Sequence, residues 1–249
     1  TIPKNNLKNI SQAFNNCDID IERLISRTFT LGVKLLNHKE LEFGSAIVDL
    51  GFEKISFGLF KNLALVHSIT FPIGINHITK DISKVCSLNL DESKKIINNI
   101  DFSFENNKKL FDENNYLKND YFLNSNFRKI SKNLILNVIK ARLEEILDVL
   151  KKQLIVPGFD LSSGINLLLT GGGSNLFNIE KYFSNFFGPN VKKINKNNIE
   201  RDGNLEKNFV SCFGALKIIK YGWETEAIPE IGGKDIKKKG LFTKIFGIH

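Results

Sequence analysis

The chain has 249 residues, of which 42% are hydrophobic and 25% charged, with a formal net charge of +8. That is enough for one large domain or two smaller ones with buried cores. Three cysteines far apart, without CxxC or Cys/His spacing, indicate neither a disulfide framework nor a zinc site and suit a reduced, cytoplasmic protein. A basic balance suits nucleic acid, anionic lipid or nucleotide phosphates equally. Because the sequence contains no methionine, we expect it to be a piece of a longer protein.

The first half of the chain is predicted to contain helices followed by an antiparallel meander. Apolar residues at helical spacing predict helices over residues 5–17 and 23–38, with a short extended segment at 18–22 between them. Three runs rich in apolar and β-branched residues predict strands: Ser45–Leu50, Ile55–Lys61 and Leu63–Phe71. Two helices are predicted next, Ile78–Cys86 and Asp91–Asn99, with Asp91 or Ser93 at the start of the second.

The second half is predicted to be mixed α/β. Residues 100–130 indicate an irregular excursion with short strands, whereas Ser131–Leu154 keeps helical spacing for about six turns. A buried strand, a helix, a weak strand and a helix are predicted after it: Ile165–Thr170, Leu176–Phe187, Val191–Ile194 and Phe209–Tyr221. Residues 224–236 are typical of a linker, since they contain proline and a glycine pair.

A strand that turns through three glycines onto a helix is the first motif that indicates a function. The backbone N–H groups of Gly171, Gly172 and Gly173, followed by Ser174, could approach a ligand closely. A helix N-terminus adds partial positive charge that favours phosphate. The motif is neither a P-loop nor the dinucleotide fingerprint, because no Gly-Lys-Ser/Thr follows and Leu176 replaces the third glycine of the fingerprint. A tight turn without any ligand is an equally open interpretation.

The second motif is Asp49-Leu50-Gly51 at the end of the first predicted strand. An aspartate at this position can hold Mg²⁺ through water and face a phosphate. On its own the pattern more often marks a turn residue.

Together these segments resemble the nucleotide-binding superfamily of actin, Hsp70 and FtsA, and the match to FtsA runs over nearly the whole chain. The matching motifs occur in the family's order: Val48–Gly51, Pro72–Ile82, Lys140–Ile146, Leu169–Ile179 and Ser211–Leu216. The resemblance implies an α/β, actin-like (ribonuclease H-like) ATPase lobe. We therefore expect a five-stranded mixed sheet with flanking helices and an inserted α+β subdomain.

The resemblance also implies a division of the chain into segments. These are the end of the preceding lobe with an interdomain helix (1–43), the large lobe (44–82 and 134–208), the inserted subdomain (83–133), a closing helix (209–223), the linker (224–236) and a tail (237–249).

The resemblance places ATP between the two motifs. Gly171, Gly172, Gly173 and Ser174 would line the adenosine side, with Asp49 and Gly51 near the phosphates and Asp49 holding Mg²⁺ through water.

The part of the expected ATP site that would face the phosphates departs from the family pattern. Phe52 and Glu53 stand where the family has glycines, so side chains occupy space that backbone and phosphate would share, and Glu53 would repel the phosphate. Lys94 and Ile97 stand where the family has Glu and Lys. We therefore expect weak or absent ATP hydrolysis.

The tail forms the third motif. In a helix from about Gly240, the apolar residues Leu241, Phe242, Ile245 and Phe246 gather on one side and Lys244 with the preceding lysines flanks them. This pattern is typical of a short amphipathic membrane anchor, and a terminal helix docked on its own domain is the alternative. Neighbouring polymer subunits would strengthen so short an anchor by avidity.

A partner site is implied by the resemblance alone. Ser131, Lys132 and Asn133 correspond to a step that binds the acidic C-terminal peptide of FtsZ, although only part of that step is present. A solvated helix face is the alternative.

The function expected is that of a self-assembling, ATP-binding protein that anchors FtsZ filaments to the inner face of the cytoplasmic membrane at the division site. An Hsp70-like or sugar-kinase-like ATPase is the alternative within the superfamily. A nucleic-acid-binding protein would need clustered basic residues with aromatic platforms, whereas the basic residues here are dispersed except at the tail.

Overall fold

The computed structural model describes residues 4–123, 128–155, 166–194 and 208–221. The helices are α1 (Lys4–Asn15), α2 (Arg27–Leu35), α3 (His38–Phe43), α4 (Ile75–Val85), α5 (Leu90–Asn99), α6 (Lys132–Leu154), α7 (Ile179–Phe187) and α8 (Val210–Tyr221). The strands are β1 (Ser45–Leu50), β2 (Ile55–Lys61), β3 (Ala64–Phe71), β4 (Asn166–Thr170) and β5 (Val191–Lys193). The described residues from Ser26 onward form one compact unit, and α1 belongs to another.

The strands form one mixed sheet in the order β3-β2-β1-β4-β5, which confirms the predicted five-stranded sheet within the described ranges. β1 pairs with β2, and β2 with β3, in antiparallel fashion. β1 pairs with β4, and β4 with β5, in parallel. All residues of β1 are buried, as expected for a central strand that is covered on both faces.

The two faces of the sheet bury different elements. Ala46, Val48 and Leu50 of β1 belong to the main hydrophobic cluster, which they share with residues of α4, α5, α6 and α7. Side chains alternate along a strand, so Ile47 and Asp49 point to the opposite face, which α2 covers. Contact there is close, since a Cβ on Gly58 of β2 would lie 2.2 Å from the Thr28 methyl group.

α2 also packs tightly against α8. A Cβ on Gly214 would lie 2.0 Å from the carbonyl oxygen of Thr30, so only a glycine allows the two backbones to approach this closely. The helix predicted at residues 23–38 is shorter in the structure, where α2 begins at Arg27 and ends at Leu35.

Several predicted bounds differ from the observed ones for local reasons. α4 begins at Ile75 rather than Ile78, because the carbonyl groups of Gly51 and Phe52 accept hydrogen bonds from its first N–H groups. The N-cap of α5 is Asn89 rather than Asp91 or Ser93. α7 begins at Ile179 rather than Leu176, because a 3₁₀ turn at Gly172–Asn175 precedes it.

The described part of the segment between α5 and α6 is irregular, as predicted, but the short strands predicted there do not form in it. It contains a 3₁₀ turn at Asn119–Tyr121 and two isolated bridges, Phe111 to Leu117 and Tyr116 to Ser131. The extended segment predicted at 18–22 forms no strand. The predicted linker and tail lie outside the described residues, and the predicted domain bounds stay predictions.

Candidate functional site

The sheet brings the two predicted motifs together. β1 and β4 are adjacent and parallel, and their register places Asp49 beside Thr170. Each motif follows the carboxyl end of its strand, so the aspartate and the glycine turn meet at one edge of the sheet. A Cβ on Gly171 would lie only 2.3 Å from Oδ1 of Asp49 and 2.7 Å from the carbonyl oxygen of Leu50.

Packing within the protein accounts for two of the three glycines. Gly171 has a φ of +82° as well as the close contact with Asp49, and residues with a side chain are strained in that conformation. A Cβ on Gly173 would lie 2.6 Å from Cγ1 of Ile75 and 2.9 Å from Cβ of Leu50. Both positions would therefore need glycine even if no ligand ever bound.

Gly172 is different because a Cβ at this position would meet nothing within 4 Å. Its backbone faces open space, and it lines both of the cavities that flank the turn. The protein's own packing does not require glycine here, whereas close approach of a ligand to the backbone would.

Ser174 closes the turn rather than reaching outward. Its Oγ donates a hydrogen bond to the Gly171 carbonyl group at 2.7 Å, and its N–H donates to the same oxygen at 3.1 Å. The side chain is buried. Ser174 therefore shapes the path of the glycine backbone.

The larger cavity has a volume of about 420 Å³ and lies between the glycine turn, α2, β5 and α8. Its polar lining comes from both backbone and side chains: Arg27, Thr170, Gly171, Gly172, Ser174, Asn175, Lys193, Asn208 and Ser211. Both charged lining residues are basic, so the cavity suits an anionic group.

The smaller cavity, of about 260 Å³, lies on the other side of Gly172. Its lining is more apolar: Phe52, Ile75, Thr79, Lys94, Ile97, Asn98, Gly172, Gly173 and Leu176. The Nζ of Lys94 lies 3.2 Å from Oδ1 of Asp91, so its charge is partly balanced. The two cavities therefore meet at Gly172, with an apolar lining on one side of it and basic side chains on the other.

Asp49 is held by an arginine. Nε of Arg27 donates to Oδ2 at 2.7 Å; the Asp49 side chain is only 7% exposed, whereas that of Arg27 is 62% exposed. Oδ1 is buried and has no hydrogen-bond partner among the described residues. Neither cavity is lined by Asp49.

Magnesium does not fit this arrangement. Mg²⁺ retains several waters in octahedral geometry, but Oδ2 is occupied by Arg27 and Oδ1 is covered beside Gly171. Within the described ranges, no group of three or more His, Cys, Asp or Glu side chains is placed to hold a metal ion.

The turn after β1 is closed by its own hydrogen bonds. A Cβ on Gly51 would lie 2.4 Å from the carbonyl oxygen of Lys54, so the turn is tight. The first N–H groups of α4 donate to the carbonyl groups of Gly51 and Phe52. These N–H groups are therefore not available to a phosphate.

Glu53 is anchored at the rim of this turn. Its Oε1 accepts from Nδ2 of Asn76 at 2.6 Å and from Nζ of Lys80 at 3.3 Å. The hydrogen bond from Asn76, followed by the bond and charge of Lys80, lowers the pKa of the carboxyl group. Glu53 therefore stays negative at the turn that follows β1; repulsion of a phosphate by it stays a prediction.

The predicted partner residues lie elsewhere, at the start of α6. Oγ of Ser131 accepts a hydrogen bond from the N–H of Leu134 at 3.3 Å, which makes Ser131 the N-cap of α6. Nζ of Lys132 lies 5.9 Å above the Phe111 ring. Neither cavity contains Ser131, Lys132 or Asn133.

The predicted membrane residues Leu241, Phe242, Lys244, Ile245 and Phe246 lie outside the described residues. Among the helices that are described, none is both long and apolar enough to cross a bilayer.

Comparison with solved structures identifies the fold. The crystal structure of MreB5 of Spiroplasma citri bound to ADP superposes with a TM-score of 0.59 at 20% identity. The match covers 87% of this chain and 66% of that one. The mixed sheet and its flanking helices thus have an α/β actin-like fold.

Within that class, the chain belongs to the family of cell division protein FtsA, whose model matches residues 46–214. FtsA of Agrobacterium fabrum is 23% identical over 198 residues, which cover 77% of this chain and 43% of that protein. FtsA of Buchnera aphidicola subsp. Acyrthosiphon pisum is 25% identical over 236 residues, or 90% of this chain and 54% of the relative. The chain therefore spans about half the length of these relatives. This family assignment separates it from the Hsp70-like and sugar-kinase-like alternatives.

Proposed function

We propose that this chain is part of a cell division protein that binds ATP, assembles with copies of itself and anchors FtsZ filaments to the inner face of the cytoplasmic membrane. Membership of the FtsA family supports the cell-division role. The observation that carries the nucleotide part is Gly172, the one glycine of the turn whose missing side chain leaves open space towards both cavities.

The site suits an adenine nucleotide in size and chemistry. The smaller, more apolar cavity can take the base and ribose, and the larger, basic cavity can take the phosphates. The bond between ribose and phosphate would then pass over the Gly172 backbone. The ADP bound by the structural neighbour MreB5 supports this class of ligand.

A substitution at Gly172 tests the proposal. In Gly172→Leu, the new side chain points into open space, so folding should be retained while ADP and ATP binding is lost or falls at least about tenfold. Titration calorimetry measures the affinity, and circular dichroism verifies the fold. Asn106→Leu adds the same side chain at an exposed position that lines neither cavity, and it should bind like the original chain. Equal affinities for all three proteins would contradict the proposal.

We propose that the bound nucleotide promotes assembly and is hydrolysed weakly or not at all. Glu53 is held negative at the turn after β1 by Asn76 and Lys80, and the first N–H groups of α4 are bonded to carbonyl groups of that turn. Groups that would stabilise the charge of a transferring phosphoryl group are therefore scarce there. Sustained ATP turnover by the purified protein would contradict this part of the proposal.

A further inference from the structure

Asp49 and Arg27 form an ion pair beside the glycine turn, so each neutralises the charge of the other. A buried carboxylate needs a paired positive charge or a metal, and here Nε of Arg27 supplies it at 2.7 Å from Oδ2. Arg27 is the first residue of α2, and Asp49 is the second-last residue of β1. The pair therefore links two rigid elements and is part of the fold itself.

Only one end of the Arg27 guanidinium is used by this pair. A guanidinium carries five N–H donors in a planar fork, and the hydrogen bond to Asp49 uses the Nε donor. The side chain is 62% exposed and lines the basic cavity together with Gly172 and Lys193. Its terminal N–H groups have the geometry that matches two phosphoryl oxygens.

The second basic residue of the cavity is less available. Nζ of Lys193 lies 3.1 Å from Oε2 of Glu180, so its charge is already balanced by an acidic partner. Arg27 is also balanced, but its partner Asp49 lines neither cavity, whereas Arg27 itself lines the larger one.

We propose that Arg27 takes the place of the divalent cation in this site. It neutralises Asp49 through Nε and binds the phosphoryl oxygens of the nucleotide through its terminal N–H groups, so that nucleotide binding needs no Mg²⁺. This inference rests on the proposed nucleotide binding, and it adds how the phosphates are held.

The first test compares the affinity for ADP in excess EDTA and in millimolar Mg²⁺, measured by titration calorimetry with the full 249-residue chain. The expected result is equal affinity, within about twofold. A loss of tenfold or more in EDTA would overturn the inference while leaving the proposed nucleotide binding intact. Absence of ADP and adenosine binding in both buffers would overturn both.

The second test removes the arginine without leaving a buried charge. Arg27→Gln alone unpairs Asp49 and could unfold the chain, so the double variant Arg27→Gln/Asp49→Asn is measured beside it. Loss of charge-assisted hydrogen bonds should weaken ADP binding in EDTA about tenfold to a hundredfold, whereas adenosine, which has no phosphate, should bind as before.

Lys39→Gln is the matched control, because it removes one positive charge from an exposed residue that lines neither cavity. It should leave both ligands unaffected. If a folded double variant bound ADP in EDTA as tightly as the original chain, the inference would be wrong, since the phosphates would then be held by other groups.

Discussion

At the scale of single residues, the three consecutive glycines do different work. Gly171 and Gly173 are fixed by contacts inside the protein, and Gly172 faces open space. The same residue type therefore answers a folding requirement at two positions and points to a ligand at the third.

This difference predicts that the same substitution has a large effect on stability at Gly171 and a small one at Gly172. Gly171→Ala should lower the free energy of unfolding by about 2–4 kcal/mol, because its positive φ is strained for alanine and the methyl group would overlap Asp49 and Leu50. Gly172→Ala should change it by less than about 0.5 kcal/mol, as for a substitution into open space. Urea denaturation measures both values. Equal destabilisation of the two variants would show that Gly172 is also held by packing.

Sequence patterns predicted some site residues and not others. The glycine turn and Asp49 could be found because a buried apolar strand precedes each, and such runs are visible without a structure. Arg27 could not be found in this way, since it lies 22 residues before its partner in the sequence and meets it only through the packing of α2 on β1. An ion pair between two separate elements leaves no regular spacing in the sequence from which it could be predicted.

At the scale of elements, the α5 N-terminus is held by a half-buried capping box. Oδ1 of Asn89 accepts from the N–H of Glu92, and Oε2 of Glu92 accepts from the N–H of Asn89. Oε1 of the same glutamate also accepts from the N–H of Leu123 at 2.8 Å, which ties the irregular segment to the helix. Glu92 itself is 5% exposed, whereas Asn89 and Leu123 are exposed, so these bonds are half-buried.

Removing this glutamate should therefore cost more than a helix cap alone. Glu92→Ala removes a buried side chain that accepts from two backbone N–H groups and should lower the free energy of unfolding by about 2–4 kcal/mol. α3 provides a control, because Glu40 forms the same capping box with Asn37 at an exposed site. Glu40→Ala should cost about 0.5–1 kcal/mol. The two values come from urea denaturation, and similar losses would refute the role of the Leu123 bond.

Element starts were harder to predict than element types. The order of strands and helices follows from hydrophobic periodicity, which each segment carries by itself. The start of α4 depends instead on carbonyl groups of the preceding turn, and the start of α7 on the 3₁₀ turn of the glycines. These bonds join separate segments, so local patterns place the starts a few residues too late.

At the scale of the whole molecule, the proposed roles divide between regions of the chain. The candidate nucleotide site lies at the carboxyl ends of β1 and β4, the predicted FtsZ-binding residues are at the start of α6, and the predicted anchor is the tail at 237–249. Separate segments for each role fit the proposal that one subunit holds nucleotide, partner and membrane at the same time.

The anchor can be tested by truncation. Removal of residues 237–249 should abolish sedimentation with vesicles that contain anionic phosphatidylglycerol, because the apolar side chains and lysines of the tail would be gone. ADP binding should be unchanged and serves as the control for folding. Equal sedimentation of the intact and the shortened chain would refute the anchor.

The position of Gly171 directly after a central strand has a consequence for how the site opens. Central strands exchange their amide hydrogens most slowly, because exposing them requires global unfolding. The glycine turn follows such a strand directly, without an intervening hinge. The surface of the candidate site is therefore preformed, and binding of a ligand requires little change in the backbone. Bound nucleotide should accordingly slow exchange mainly in the glycine turn after β4 and in the turn after β1, and leave the protection of β1 and β4 as it was.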